Sequence, residues 1–186
     1  MKLKKLNAAL SLLAILLLLA HLCYVVYAYL TFRYDPALSK LLAVAASIAI
    51  CVHAVLGMCL VFLMGDGTRL AGYPRQNLRT VLQRVSAALM FPLLLPHVRS
   101  FALLQAAAEN GQMLQFTALL LLEVLFFADV TLHIVTSFSR ALVTLGWLER
   151  EKTLKTLDRI VWVLGAAVFA VSSAAVVRTQ LIMFLH

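Results

Sequence analysis

Residues 114–139, LQFTALLLLEVLFFADVTLHIVTSFS, decide what kind of protein this is. At about 1.5 Å of rise per residue, such a run covers the roughly 30 Å of hydrocarbon in a bilayer. The leucines, alanines and valines come without strict alternation, so the segment is a membrane helix and not a barrel strand. Inside it stand Glu123, Asp129 and His133, three groups that are expensive in lipid. Asp129 and His133 are four residues apart and share one helix face, which is expected to point into a bundle.

Four further apolar runs occur, near residues 7–30, 41–64, 82–107 and 160–185. The chain of 186 residues is 63% hydrophobic and 13% charged, with a mean hydropathy of +0.97. A soluble domain could not expose such a surface. The sequence therefore predicts an all-α integral membrane protein, a single five-helix bundle over residues 1–186 with short up-and-down connections.

The net charge of +8 is an orientation signal. Lys2, Lys4 and Lys5 precede the first run; Arg69, Arg75, Arg79 and Arg84 lie between the second and third; Arg140, Arg150, Lys152, Lys155 and Arg159 follow the fourth. That places twelve of the sixteen cations on one side. By the positive-inside rule the N-terminus is cytoplasmic and the C-terminus outside, and nucleic acid is not the partner. The basic start and apolar run of MKLKKLNAALSLLAILLLLAHLC also resemble a secretory signal, but the run continues to Leu30 without a small-residue cleavage site, so an uncleaved span is expected.

Connections at 31–40 and 108–113 form the outer loops, and 65–81 and 140–159 the larger cytoplasmic segments, of which WLEREKTLKTLDR reads as a solvated amphipathic face. No connection is long enough for a separate soluble domain. Cys23, Cys51 and Cys59 form no C-x-x-C pair and read as small buried hydrophobes.

His21, His53, His97 and His133 fall one in each of the first four runs, while His186 ends the chain and reads as solvated. Imidazole is a common axial ligand of haem iron, and facing helices can hold a flat macrocycle between them. Four histidines allow two b-type haems, provided each pair sits at a common depth. His21 lies twelve residues before Arg33 and His97 twelve before Glu109, each about 18 Å from its outer polar marker. His53 lies thirteen residues from both Lys40 and Asp66, whereas His133 is seven from Arg140. That second mismatch shrinks if the fourth helix continues past Arg140 toward Trp147, with Arg140 turned to an internal anion such as a haem propionate.

Arg33, Lys40 or Arg99 would serve the outer haem. For Arg33, Lys40 and Arg140, reaching to lipid phosphates is an equal alternative. For Arg99, ten residues short of Glu109, that reach is harder and an internal partner is favoured, an Arg99–Glu123 ion pair being the plain expectation for both residues. Pro92 and Pro96 should bend the third span and leave carbonyls unbonded near His97. Asp129 either moves protons or hydrogen-bonds a neighbouring side chain. Tyr27, Tyr34 and Asp35, together with Glu123 and Asp129, are candidates for a quinone and its protons.

Two segments carry a resemblance. In LQRVSAALMFPLLLPH, the positions of Gln83, Ser86, Met90-Phe91 and His97 resemble the third span of the single-chain, di-haem cytochrome b anchors of succinate dehydrogenases and quinol:fumarate reductases. In LHIVTSFSRALVTLGW, His133, the small and aromatic residues after it, Arg140 and Gly146-Trp147 resemble that family's fourth span and exit. The layout of five spans agrees across the whole chain; the motifs cover about thirty residues.

The resemblance implies His21 and His97 as ligands of the outer haem, and His53 and His133 of the inner one. It implies a quinone substrate, taken as menaquinone, and flavoprotein and iron–sulfur partners at the cytoplasmic face of a bacterial inner membrane, with a dimer of the complex allowed. The dicarboxylate chemistry would belong to those partners. Thr131 stands where some relatives have a carboxylate, and no acid aligns with that of the outer quinone site, Asp35 being merely the nearest. The rivals are di-haem anchors of other respiratory enzymes, which place their histidines on fewer spans, and a haem-free transporter or assembly protein using histidine and aspartate for metal or protons.

Overall fold

The computed structural model describes residues 2–63 and 74–185, with side chains from Leu78 onward in the second of these segments. Among them are five α-helices: α1 (Lys2–Thr31), α2 (Pro36–Phe62), α3 (Pro74–Glu109), α4 (Met113–Leu145) and α5 (Glu151–Leu185). Each is long and apolar enough to cross a membrane. Arg69, Asp66, His186, the side chain of Arg75 and much of the 65–81 connection lie outside the described residues.

The helices are longer than the apolar runs because a helix satisfies its own backbone beyond the hydrocarbon as well as within it. The outer loop expected over 31–40 shrinks accordingly. Asp35 is the N-cap of α2, its Oδ1 accepting the amides of Ala37 at 2.8 Å and Leu38 at 3.3 Å, and Pro36 follows as the first helical residue. Tyr24 clamps this corner from α1, its hydroxyl accepting the Asp35 amide at 2.7 Å and donating to the Asp35 carbonyl at 3.1 Å. At the other end, α4 continues past Arg140 to Leu145 and stops at Gly146. The φ of +84° there is a left-handed conformation suited to glycine, and it closes the last turn through Leu142 and Val143 carbonyls.

Packing divides the helices into two hairpins, α1 with α2 and α3 with α4. The central helix is α4, which touches α1, α3 and α5, and α5 also meets α1 and α3. Leu104, Ala107, Phe116 and Leu120 form a buried core at the α3–α4 turn, joined by Phe184 of α5. At Gly165, α5 lies so near α4 that a Cβ would stand 2.5 Å from Cγ1 of Val135.

The outward faces are lipid-type surface: Leu16, Leu41, Ile48, Leu95 and Leu114 are all exposed. Cys23 and Cys51 lie on this surface and Cys59 is half-buried, which corrects the expectation that they are buried. In a membrane chain an apolar residue gains nothing by facing inward, because lipid is as apolar as the bundle core.

Candidate functional site

Imidazoles from alternate helices are grouped two by two, one pair ring to ring and the other across a shared cavity. His53 of α2 and His133 of α4 have ring centroids 6.5 Å apart, with planes inclined at 64°. His21 of α1 and His97 of α3 line one cavity, about 810 Å³ of non-atom space counted to its open mouth. Its walls come from α1, α3, α4 and α5 and are mostly apolar, with Tyr29, Ser100, Glu123, Thr131 and Ser172 as polar points besides the two histidines. Among the described residues no group of three or more histidine, cysteine, aspartate or glutamate side chains is arranged to hold a metal ion by itself.

The two pairs lie at different depths. His53 is bonded to Asn7, near the start of α1, whereas His21 is fourteen residues further along that helix, about 21 Å. On α4, His133 is ten residues from Glu123, the partner of His97, about 15 Å. One pair therefore stands near the end of the bundle that carries Asn7 and Arg140, and the other toward the end that carries Tyr29.

Hydrogen bonds fix which nitrogen each ring offers. Nδ1 of His53 lies 3.3 Å from the Asn7 carbonyl. Nδ1 of His133 lies 3.0 Å from the Gln83 carbonyl and 3.2 Å from the Ser86 hydroxyl, which itself donates to Gln83. A carbonyl can only accept, so in both rings Nδ1 carries the proton and Nε2 keeps its lone pair. Nδ1 of His97 points at Oε2 of Glu123 at 2.9 Å, and the ring stacks on Phe126 with centroids 4.3 Å apart. Nδ1 of His21 is buried and has no partner.

Glu123 is 4% exposed and its partner is His97, which corrects the expected pairing with Arg99. Residues 97 and 99 are separated by about 200° around the helix, so only one can face α4. His97 does, and Arg99 is exposed. Asp129 is buried as expected from its place on α4, and its Oδ2 has no partner. Arg140 is half-buried and donates to Oε1 of Gln83 at 3.2 Å. Arg33, Lys40 and Arg178 are exposed, as are Tyr27, Tyr34 and Asp35. Pro92 and Pro96 sit within a continuous α3, leaving the carbonyls of Ala88 and Pro92 without their amide donors.

Two features escape sequence reading. Tyr29 lines the cavity, and α5 grips it twice, Thr179 donating to its carbonyl at 3.0 Å and Gln180 to its hydroxyl at 3.1 Å. Asp158, expected on a solvated face, is bound by Arg79 through a two-pronged contact of 2.8 and 3.0 Å and by Ser139. Arg79 also donates to the carbonyls of Val135 and Thr136, so one guanidinium joins α3, α4 and α5. The solvated reading does hold for Glu151 and Lys155, an exposed pair one turn apart.

No protein-family model, no characterised protein and no solved structure matches this chain.

Proposed function

We propose that this chain is the membrane anchor and electron-carrying subunit of a succinate:quinone or quinol:fumarate oxidoreductase, with one b-type haem held by His21 and His97 and another by His53 and His133. The observation that carries the reading is the placing of imidazoles from alternate helices at two depths, His53 and His133 ring to ring and His21 and His97 in one cavity.

The residues present fit the group. Two metal–imidazole bonds of about 2 Å, with the depth of the two rings added, put ring centroids roughly 6 to 6.5 Å apart. His53 and His133 stand at 6.5 Å with both Nε2 lone pairs available. On the other level the cavity's lining is mostly apolar, and His21 brings a buried ring nitrogen without a partner. Bound haem supplies reversible one-electron storage, and two at different depths divide a crossing too long for one transfer.

The protein's own groups do the positioning. Gln83, Ser86 and Asn7 set the tautomers of the inner pair. Gln83 also steers Arg140 toward the same level, where its charge suits the propionates of the inner haem. Arg33 and Arg99 are the corresponding cations for the outer one. Tyr27 and Tyr34, exposed beside the outer turn, offer hydroxyls to a quinone head group, menaquinone in this reading; Asp35 has one carboxylate oxygen spent on its cap. In this reading flavoprotein and iron–sulfur subunits dock at the basic segments, on the cytoplasmic side of a bacterial inner membrane, and the dicarboxylate chemistry belongs to them.

A haem-free protein handling protons or metal ions is the second reading, and the partnerless Oδ2 of buried Asp129 favours it. A reduced-minus-oxidised spectrum of the chain purified after haem-sufficient expression decides between the two. A b-type absorption band is expected, and its absence would remove the cytochrome reading.

A further inference from the structure

The four imidazoles do not have equivalent partners. His53 and His133 lean on neutral groups, backbone carbonyls and a hydroxyl, and His21 has none on Nδ1. His97 alone meets a carboxylate, at 2.9 Å. That carboxylate sits in the middle of an apolar helix and is 4% exposed, a placement that persists only where a specific partner is satisfied. His97 is also held on its face by Phe126, at 4.3 Å and 25°. Two side chains of α4 thus determine both the tautomer and the orientation of a ring on α3.

We propose that Glu123 is the positioning residue for the iron that would be bound between His21 and His97, accepting the hydrogen bond from Nδ1 of His97 so that Nε2 is left to the iron. A carboxylate acceptor gives the imidazole more anionic character than a carbonyl does, and a more basic axial ligand favours the ferric state. Glu123 therefore lowers the reduction potential of that haem more than that of the other, since the other pair lies about ten residues, roughly 15 Å, away along α4. The assignment rests on the haem reading above and extends it from the ligands to the group that tunes one of them.

The test is a potentiometric titration, with low-spin EPR, of the full chain as wild type, Glu123→Gln, Glu123→Asp and His97→Ala. The expected result is two haems retained in Glu123→Gln, with one potential raised and its EPR signal shifted while the second haem keeps its signal and its potential moves less. The moved haem should be the one missing from His97→Ala. Glu123→Asp keeps a carboxylate at a longer reach and should raise the same potential by less; it carries the test if the glutamine variant fails to accumulate. Two haems with unmoved potentials, or a larger shift in the haem that survives His97→Ala than in the one it removes, would overturn the role of Glu123 alone. A wild-type chain without b-type haem would instead overturn the reading on which it rests.

Discussion

His53 and His133, on helices that belong to different hairpins, stand with their rings 6.5 Å apart and with both Nδ1 atoms turned away to backbone carbonyls. Nothing in a two-hairpin bundle requires such a meeting, because α2 packs principally on α1. If the pair grips one iron, His53→Ala and His133→Ala must each remove the same haem. Each variant should retain one haem per chain with the same residual spectrum, read by pyridine haemochrome and difference spectroscopy. Different residual spectra would show that the two histidines serve different centres.

Much of this arrangement is legible in the sequence, and the exceptions have physical causes. Span number and the one-per-span histidines follow from hydropathy and spacing, which act along the chain. The depth of His133 is less legible because it depends on where α4 ends, and only the left-handed turn at Gly146 sets that. The partner of Glu123 depends on rotation of α3 about its axis: two residues reverse the face, so depth alone could not separate His97 from Arg99. Asp158 and Tyr29 are hidden for a related reason, since their partners Arg79, Ser139 and Gln180 come from other helices. The cysteines mislead because hydrophobicity marks interior positions in water and not in lipid.

Gly165 is a close-approach point between α5 and α4. Gly165→Ala would drive a methyl onto Val135, which is 1% exposed and stiff about its first torsion in a helix. A loss of about 1–3 kcal/mol is expected in detergent unfolding. Combining it with Val135→Ala, which clears the space, should cost less than the two single changes added together.

The Arg79–Asp158 contact ties three helices at the end near Arg140. Arg79→Ala leaves a half-buried carboxylate with Ser139 as its remaining partner, and should cost about 1.5–3 kcal/mol, a charged hydrogen-bond loss. Asp158→Ala alone should cost a similar amount, and the double variant clearly less than the sum. Additivity would show that the pair contributes nothing as a pair.

Asp35 holds the start of α2 as a cap, a role serine can also fill. Asp35→Ala should lower stability by about 1 kcal/mol and Asp35→Ser by much less. Quinone turnover tells the cap from a proton-handling role: Asp35→Ser keeps wild-type turnover if capping is its whole contribution, and loses it if the carboxylate carries protons.

The most direct measurement is the count of haem b per chain in the wild type, in each single histidine variant and in His21→Ala combined with His53→Ala. Two haems in the wild type, one in every single variant and none in the double variant are the predicted values. A wild-type chain that binds no haem, or a double variant that still binds one, would contradict the pairing of imidazoles on which the whole account stands.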